Sequence, residues 1–81
     1  MDNEKILKIT ESLNQYMVQY GDGREVDAAA LVDIKYLDGV IEKVISLICK
    51  IGVDENLQPN IHGVILDGCL EALNEFRQEL V

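Results

Sequence analysis

Tryptophan is absent from this sequence, and phenylalanine, proline and histidine occur once each. So few aromatics leave little to stack on a nucleobase or a sugar ring. His62 stands alone, so no histidine pair or serine–histidine triad can be assembled around a second one. Two cysteines with one histidine also fall short of a zinc motif. Bases are scarce as well: 7 Lys and Arg face 15 Asp and Glu, for a formal net charge of -8. Such a surface repels nucleic acid and anionic membrane and attracts basic partners or cations. An acidic balance is also a common route to plain solubility.

Long apolar runs are missing too, and no stretch reaches the length of a membrane span without charges. No basic leader followed by an apolar run is present, so no secretory signal is expected. The expected setting is the reduced cytoplasm, with Cys49 and Cys69 acting as small core hydrophobes. Sequence leaves a Cys49–Cys69 disulfide open.

Aliphatic residues are abundant, and hydrophobic residues make up 48% of the 81-residue chain. Residues 1–81 are expected to form a single small helical domain. A chain this short buries only about 60% of its unfolded surface, so the core must be dense or shared with a partner.

Helical periodicity is clear in three segments. Asp2 and Asn3 suit a cap, and Ile6, Ile9, Leu13, Met17 and Tyr20 then recur at helical spacing. Gly21-Asp22-Gly23 is turn chemistry that ends this helix, predicted over residues 3–20. Asp27 is a good cap for a second helix over 27–51, with Leu31, Ile34, Leu37, Ile41, Val44, Ile45, Ile48 and Ile51 on its apolar side. Val40 and Leu47 widen that stripe, so this helix wants neighbours on more than one side. Gly52 ends it. Pro59 fits the start of a third helix over 59–80, which carries Ile61, Ile65, Leu66, Cys69, Leu73, Phe76 and Leu80. An all-α, three-helix antiparallel bundle follows, expected to be completed by dimerisation.

The chain writes LDGVIE from Leu37 and LDGCLE from Leu66. Asp-Gly alone argues for a break, but the apolar series keeps helical phase across Gly39 and across Gly68. Both helices are therefore predicted to continue. Gly39 falls among Lys35, Lys43 and Ser46, and Gly68 beside Glu71 and Glu75, off the core side. Each glycine costs about 1 kcal/mol relative to alanine. Close approach of another backbone is one compensation, and small proteins also tolerate the cost outright.

Searches for chemistry yield little. Asp38 with Glu42 and Asp67 with Glu71 are pairs four residues apart, able to hold Mg²⁺ or Mn²⁺ if a dimer brings them together. The run Asp54-Glu55-Asn56 fails as an EF-hand, since the glycine and the closing glutamate positions hold Pro59 and Ile65. Gly21-Asp22-Gly23 lacks the lysine and hydroxyl of a phosphate loop. Neither Ser12 nor Ser46 has both the aspartate before it and the leucine after it that a phosphopantetheine attachment needs. His62 reads as a residue at the bundle edge. No cofactor is implied.

One ridge stands out. Asp67, Glu71, Glu75 and Glu79 follow one another at spacings of four. Like charges so placed destabilise an isolated helix by about 0.2–0.5 kcal/mol per pair, and Glu75 and Glu79 oppose the helix dipole. A basic partner would relieve both. The expected function is a non-enzymatic protein–protein interaction module: a regulator, adaptor or inhibitor. Its candidate contacts are Asp67, Glu71, Glu75, Glu79, Gly39, Gly68 and Tyr36. Two alternatives stand beside it: a metal-dependent enzyme built from Asp38, Glu42, Asp67 and Glu71 across a homodimer, and a structural subunit using Tyr16, Tyr20 and Tyr36 as contact aromatics.

Overall fold

The computed structural model describes residues 3–52 and 60–81. Three α-helices account for most of them: α1 (Asn3–Tyr20), α2 (Ile34–Ile51) and α3 (Ile61–Leu80), with a 3-10 turn over Ala28–Val32. No strand occurs among the described residues. The all-α class and the packed helices agree with the periodicity, and α1 has the predicted bounds. Pro59 and Asp54-Glu55-Asn56 lie outside the described residues.

Glycine sets where α1 stops. The Gly21 and Gly23 N–H groups both donate to the Met17 carbonyl, at 3.1 and 2.9 Å. A Cβ at Gly21 would stand 3.1 Å from that carbonyl oxygen and from the Met17 Sδ, so the turn closes tightly only around glycine.

Helix α2 starts at Ile34, seven residues after the predicted start at 27. Asp27 does cap, accepting from the Ala29 N–H at 3.0 Å, but what it caps is the 3-10 turn. Asp33 then takes an extended conformation (φ -85°, ψ 116°) and accepts from the Lys35 N–H, starting α2 afresh. Two aspartate caps lie within one segment, Asp27 for the 3-10 turn and Asp33 for α2.

That correction changes the topology. Tyr16 near the end of α1 meets His62 at the start of α3, and Asp38 early in α2 pairs with Arg77 late in α3. So α3 runs antiparallel to both other helices. The Lys50 Nζ in the last turn of α2 donates to the Tyr20 carbonyl, the end of α1, at 3.0 Å. Helices α1 and α2 therefore run in the same sense, and the bundle is not fully antiparallel. Residues 22–33 make the return: the Val26 N–H donates to the Asn14 Oδ1 at 2.6 Å, and Ala28, Ala29 and Val32 face Asn3, Ile6 and Leu7.

Leu13, Met17, Leu31, Leu37, Val44, Leu66 and Leu73 are the fully buried large side chains. Contact is most extensive between α2 and α3, and α1 packs more loosely on both. Helix α3 comes close to the end of α2 through Gly63, whose added Cβ would lie 3.4 Å from the Gly52 carbonyl oxygen. Gly52 itself ends α2 at φ 63°, ψ -152°.

Four residues assigned to the core are outside it, three isoleucines and one cysteine. Ile61, Ile65 and Ile45 are 70%, 43% and 45% exposed. The inner face of α3 is Leu66, Cys69, Leu73 and Phe76, which puts Ile61 and Ile65 on its flank. Both cysteines are free, Cys69 buried but Cys49 exposed, so Cys49 is not a core residue.

Candidate functional site

The outer side of α3 gathers most of the predicted contact residues. Asp67, Glu71, Glu75 and Glu79 are all exposed on it. Ile61, Val64 and Ile65 precede them on the first turns, with Val64 54% exposed. Spacings of three and four residues put these aliphatics into one short stripe. Gly68 lies between stripe and acids, exposed, with nothing within 4 Å of the position its Cβ would take. Helix α3 begins cleanly because Asn60 caps it, accepting from the His62 N–H at 2.9 Å. The acids are not uniformly idle: Glu79 already takes part in an interaction within the protein.

The remaining predicted contacts, Gly39 and Tyr36, sit elsewhere, on α2. The Tyr36 Oη accepts from the Asp27 N–H at 2.8 Å, so this tyrosine pins the 3-10 turn to the start of α2. Gly39 has open space above it. With Arg24, Glu25, Lys35, Tyr36 and Lys43 it bounds a hollow of about 190 Å³. Beside this hollow, Asp22 bridges to Lys43 at 3.5 Å. The Arg24 N–H and then Lys43 hold the Asp22 carboxyl below its ordinary range. Gly39 and Gly68 thus belong to two different faces, and among the described residues no second backbone comes within 4 Å of a Cβ at either one.

The paired carboxylates do not converge. Asp38 is taken by Arg77 in an ion pair between α2 and α3, while Glu42, Asp67 and Glu71 are exposed. Among the described residues no group of three or more His, Cys, Asp and Glu stands close enough to hold a metal ion.

One cluster was missed in the sequence. The Tyr16 hydroxyl and the His62 Nδ1 are hydrogen-bonded at 2.9 Å, and the Tyr16 and Tyr20 rings stack with centroids 6.2 Å apart. The His62 ring meets Tyr16 edge-on at 5.5 Å. Burial, and after it the neighbouring Cys69 and Tyr20, pushes the Tyr16 phenol up from its ordinary value of 10.0. Burial likewise raises the Cys69 thiol from 9.0. Tyr16, Tyr20 and His62 join α1 to α3, so of the three candidate contact aromatics Tyr16 is buried and Tyr20 half-buried. The signal was Tyr16 and Tyr20 one turn apart, but their partner lies 46 residues from Tyr16.

No protein-family model matches the chain, and no curated protein or solved structure compared with it matches either. No described helix is long and apolar enough to cross a membrane.

Proposed function

We propose that the protein is a non-enzymatic interaction module that docks through the outer side of α3 onto a protein surface carrying an apolar patch beside basic residues. The observation that carries this reading is the sequence of features along one helix: exposed Ile61, Val64 and Ile65, then open Gly68, then Glu71 and Glu75. An apolar anchor beside a charged strip has the anatomy of a docking surface, with burial supplying affinity and charge supplying orientation and rate. Mutual repulsion along the ridge is a cost in the free protein that a basic partner relieves. A regulator, adaptor or inhibitor fits this chemistry.

The test is affinity capture from a lysate of the source cells with three baits, followed by rebinding of the purified partner at graded salt. One bait is the natural chain. The second carries Asp67→Asn, Glu71→Gln, Glu75→Gln and Glu79→Gln, and the third Ile61→Ser, Val64→Ser and Ile65→Ser. The expected result is a basic partner that rebinds the natural chain, weakens as salt rises and is lost with either variant. A partner retained equally by all three baits would overturn the reading.

A further inference from the structure

The hollow beside Gly39 is the opposite, in charge, of the α3 ridge. Three of the eight residues that bound it are bases, Arg24, Lys35 and Lys43, against one acid, Glu25. Lys50 lies seven residues beyond Lys43 on the same side of α2, so Lys35, Lys43 and Lys50 form a strip with Gly39, Ser46 and one exposed acid, Glu42, among them. This strip is the chief basic feature of a protein whose net charge is -8. It lies on a different helix from the acidic ridge, and its floor is a glycine with open space above it.

From this complementarity we propose that α2 receives α3 of a second copy of the chain, the basic strip and its hollow taking the acidic ridge. The inference rests on the reading of α3 as a docking surface and names one occupant for it. Spacing agrees along the whole strip. If α3 of the second copy lies antiparallel to α2 with Glu75 over Gly39, Glu75 falls between Lys35 and Lys43. Four residues along, about 6 Å at 1.5 Å per residue, Glu71 comes to Lys43. Gly68 then meets Ser46, small residue against small, and Val64 meets the aliphatic stem of Lys50. Glu42, the acid exposed on this side of α2, falls opposite Ala72 in this register and not opposite an acid of the ridge. Lys43 and Lys50 keep exposed contacts inside the chain, to Asp22 and to the Tyr20 carbonyl. Exposed pairs of that kind are weak and readily exchanged.

Sedimentation equilibrium of the purified full chain tests this at high micromolar concentration. Two salt levels suffice: about 0.01 M, where charges interact over about 30 Å, and about 1 M, where they are screened within about 3 Å. The expected result is a mass above the monomer at low salt that falls towards the monomer at high salt. Two charge-swapped variants follow, Lys35→Glu with Lys43→Glu and Glu71→Lys with Glu75→Lys. Lys35→Glu suits the positive start of α2 and all four positions are exposed, so neither variant is expected to unfold. Each alone should associate roughly tenfold more weakly or not at all, through like-charge repulsion. An equimolar mixture of the two should regain association, because each then offers what the other lacks. A natural chain that stays monomeric at low salt, or a mixture that fails to regain mass, overturns the proposal. In either case a salt-sensitive partner captured through α3 would leave the docking reading standing, with a different protein as its occupant.

Discussion

Glycines at four helical or near-helical positions carry different physical demands, and their substitution separates them. Nothing lies within 4 Å of a Cβ at Gly39 or Gly68, whereas one at Gly63 faces the Gly52 carbonyl at 3.4 Å and one at Gly21 faces Met17 at 3.1 Å. Gly39→Ala and Gly68→Ala should each stabilise the chain by about 1 kcal/mol, read as a rise in Tm of about 4–8 °C for a domain this small. Gly63→Ala should gain nothing or destabilise, because the buried contact between α3 and α2 must open to admit a methyl group. The helical phase of the apolar residues around Gly39 and Gly68 already sets both glycines inside continuous helices. Gly63 was invisible there, since its constraint comes from a carbonyl on another helix. Tyr16→Phe tests the link between α1 and α3: loss of the hydrogen bond to His62 should cost about 1 kcal/mol in chemical denaturation.

At the scale of the helix, caps and charge decide more than periodicity does. Asp33→Ala should destabilise by about 1 kcal/mol, the usual worth of an N-cap, because its carboxylate starts α2 at Lys35. Helicity measured by circular dichroism in the same variant shows whether α2 frays from that end. Neutralising Glu71 and Glu75 together should raise Tm slightly, by about 0.5–1 kcal/mol in stability, since like-charge repulsion and the unfavourable dipole end are both removed. Stabilisation of the free protein together with loss of binding would set these acids apart from residues that merely support the fold. Three helices and the core leucines were legible in the sequence because spacing encodes which face is inward. The restart at Asp33 was not, because Asp27 and Asp33 are both competent caps and alanines 28–30, strong helix formers, favour the earlier start. Ile61 and Ile65 were assigned inward for a related reason: aliphatic identity shows preference for burial, but the position of α1 decides whether cover is present.

Over the whole molecule, the raised phenol of Tyr16 and thiol of Cys69 predict behaviour in alkali. Both folded values lie above the unfolded ones, so the stability linked to them is complete below pH 9.0, the ordinary thiol value. It is lost as pH rises through the raised values of the two groups. Unfolding free energy measured from pH 7 to 11 should be level and then decline, and Cys69→Ala should delay the onset of the decline. A core this small gives few other reserves, with folding stabilities for such domains of about 5–15 kcal/mol. Leu37→Ala, at a fully buried position, should cost about 2–5 kcal/mol and take much of that margin.

Because α1 and α2 point the same way while α3 opposes both, the start of α1 and the end of α3 lie at one pole of the bundle. Ends so placed can be spliced by a short flexible linker without dragging chain across the core. New termini can then be opened in the exposed turn at Asp22–Arg24, which contributes no buried apolar side chain. The rearranged order would have α2, α3 and α1 in succession, and the return along α1 by residues 22–33 would become a tethered tail beside its own groove. Such a permutant, folding with its Tyr16–His62 contact intact, would turn the unusual path between the first two helices into a practical handle for attaching the protein to a surface.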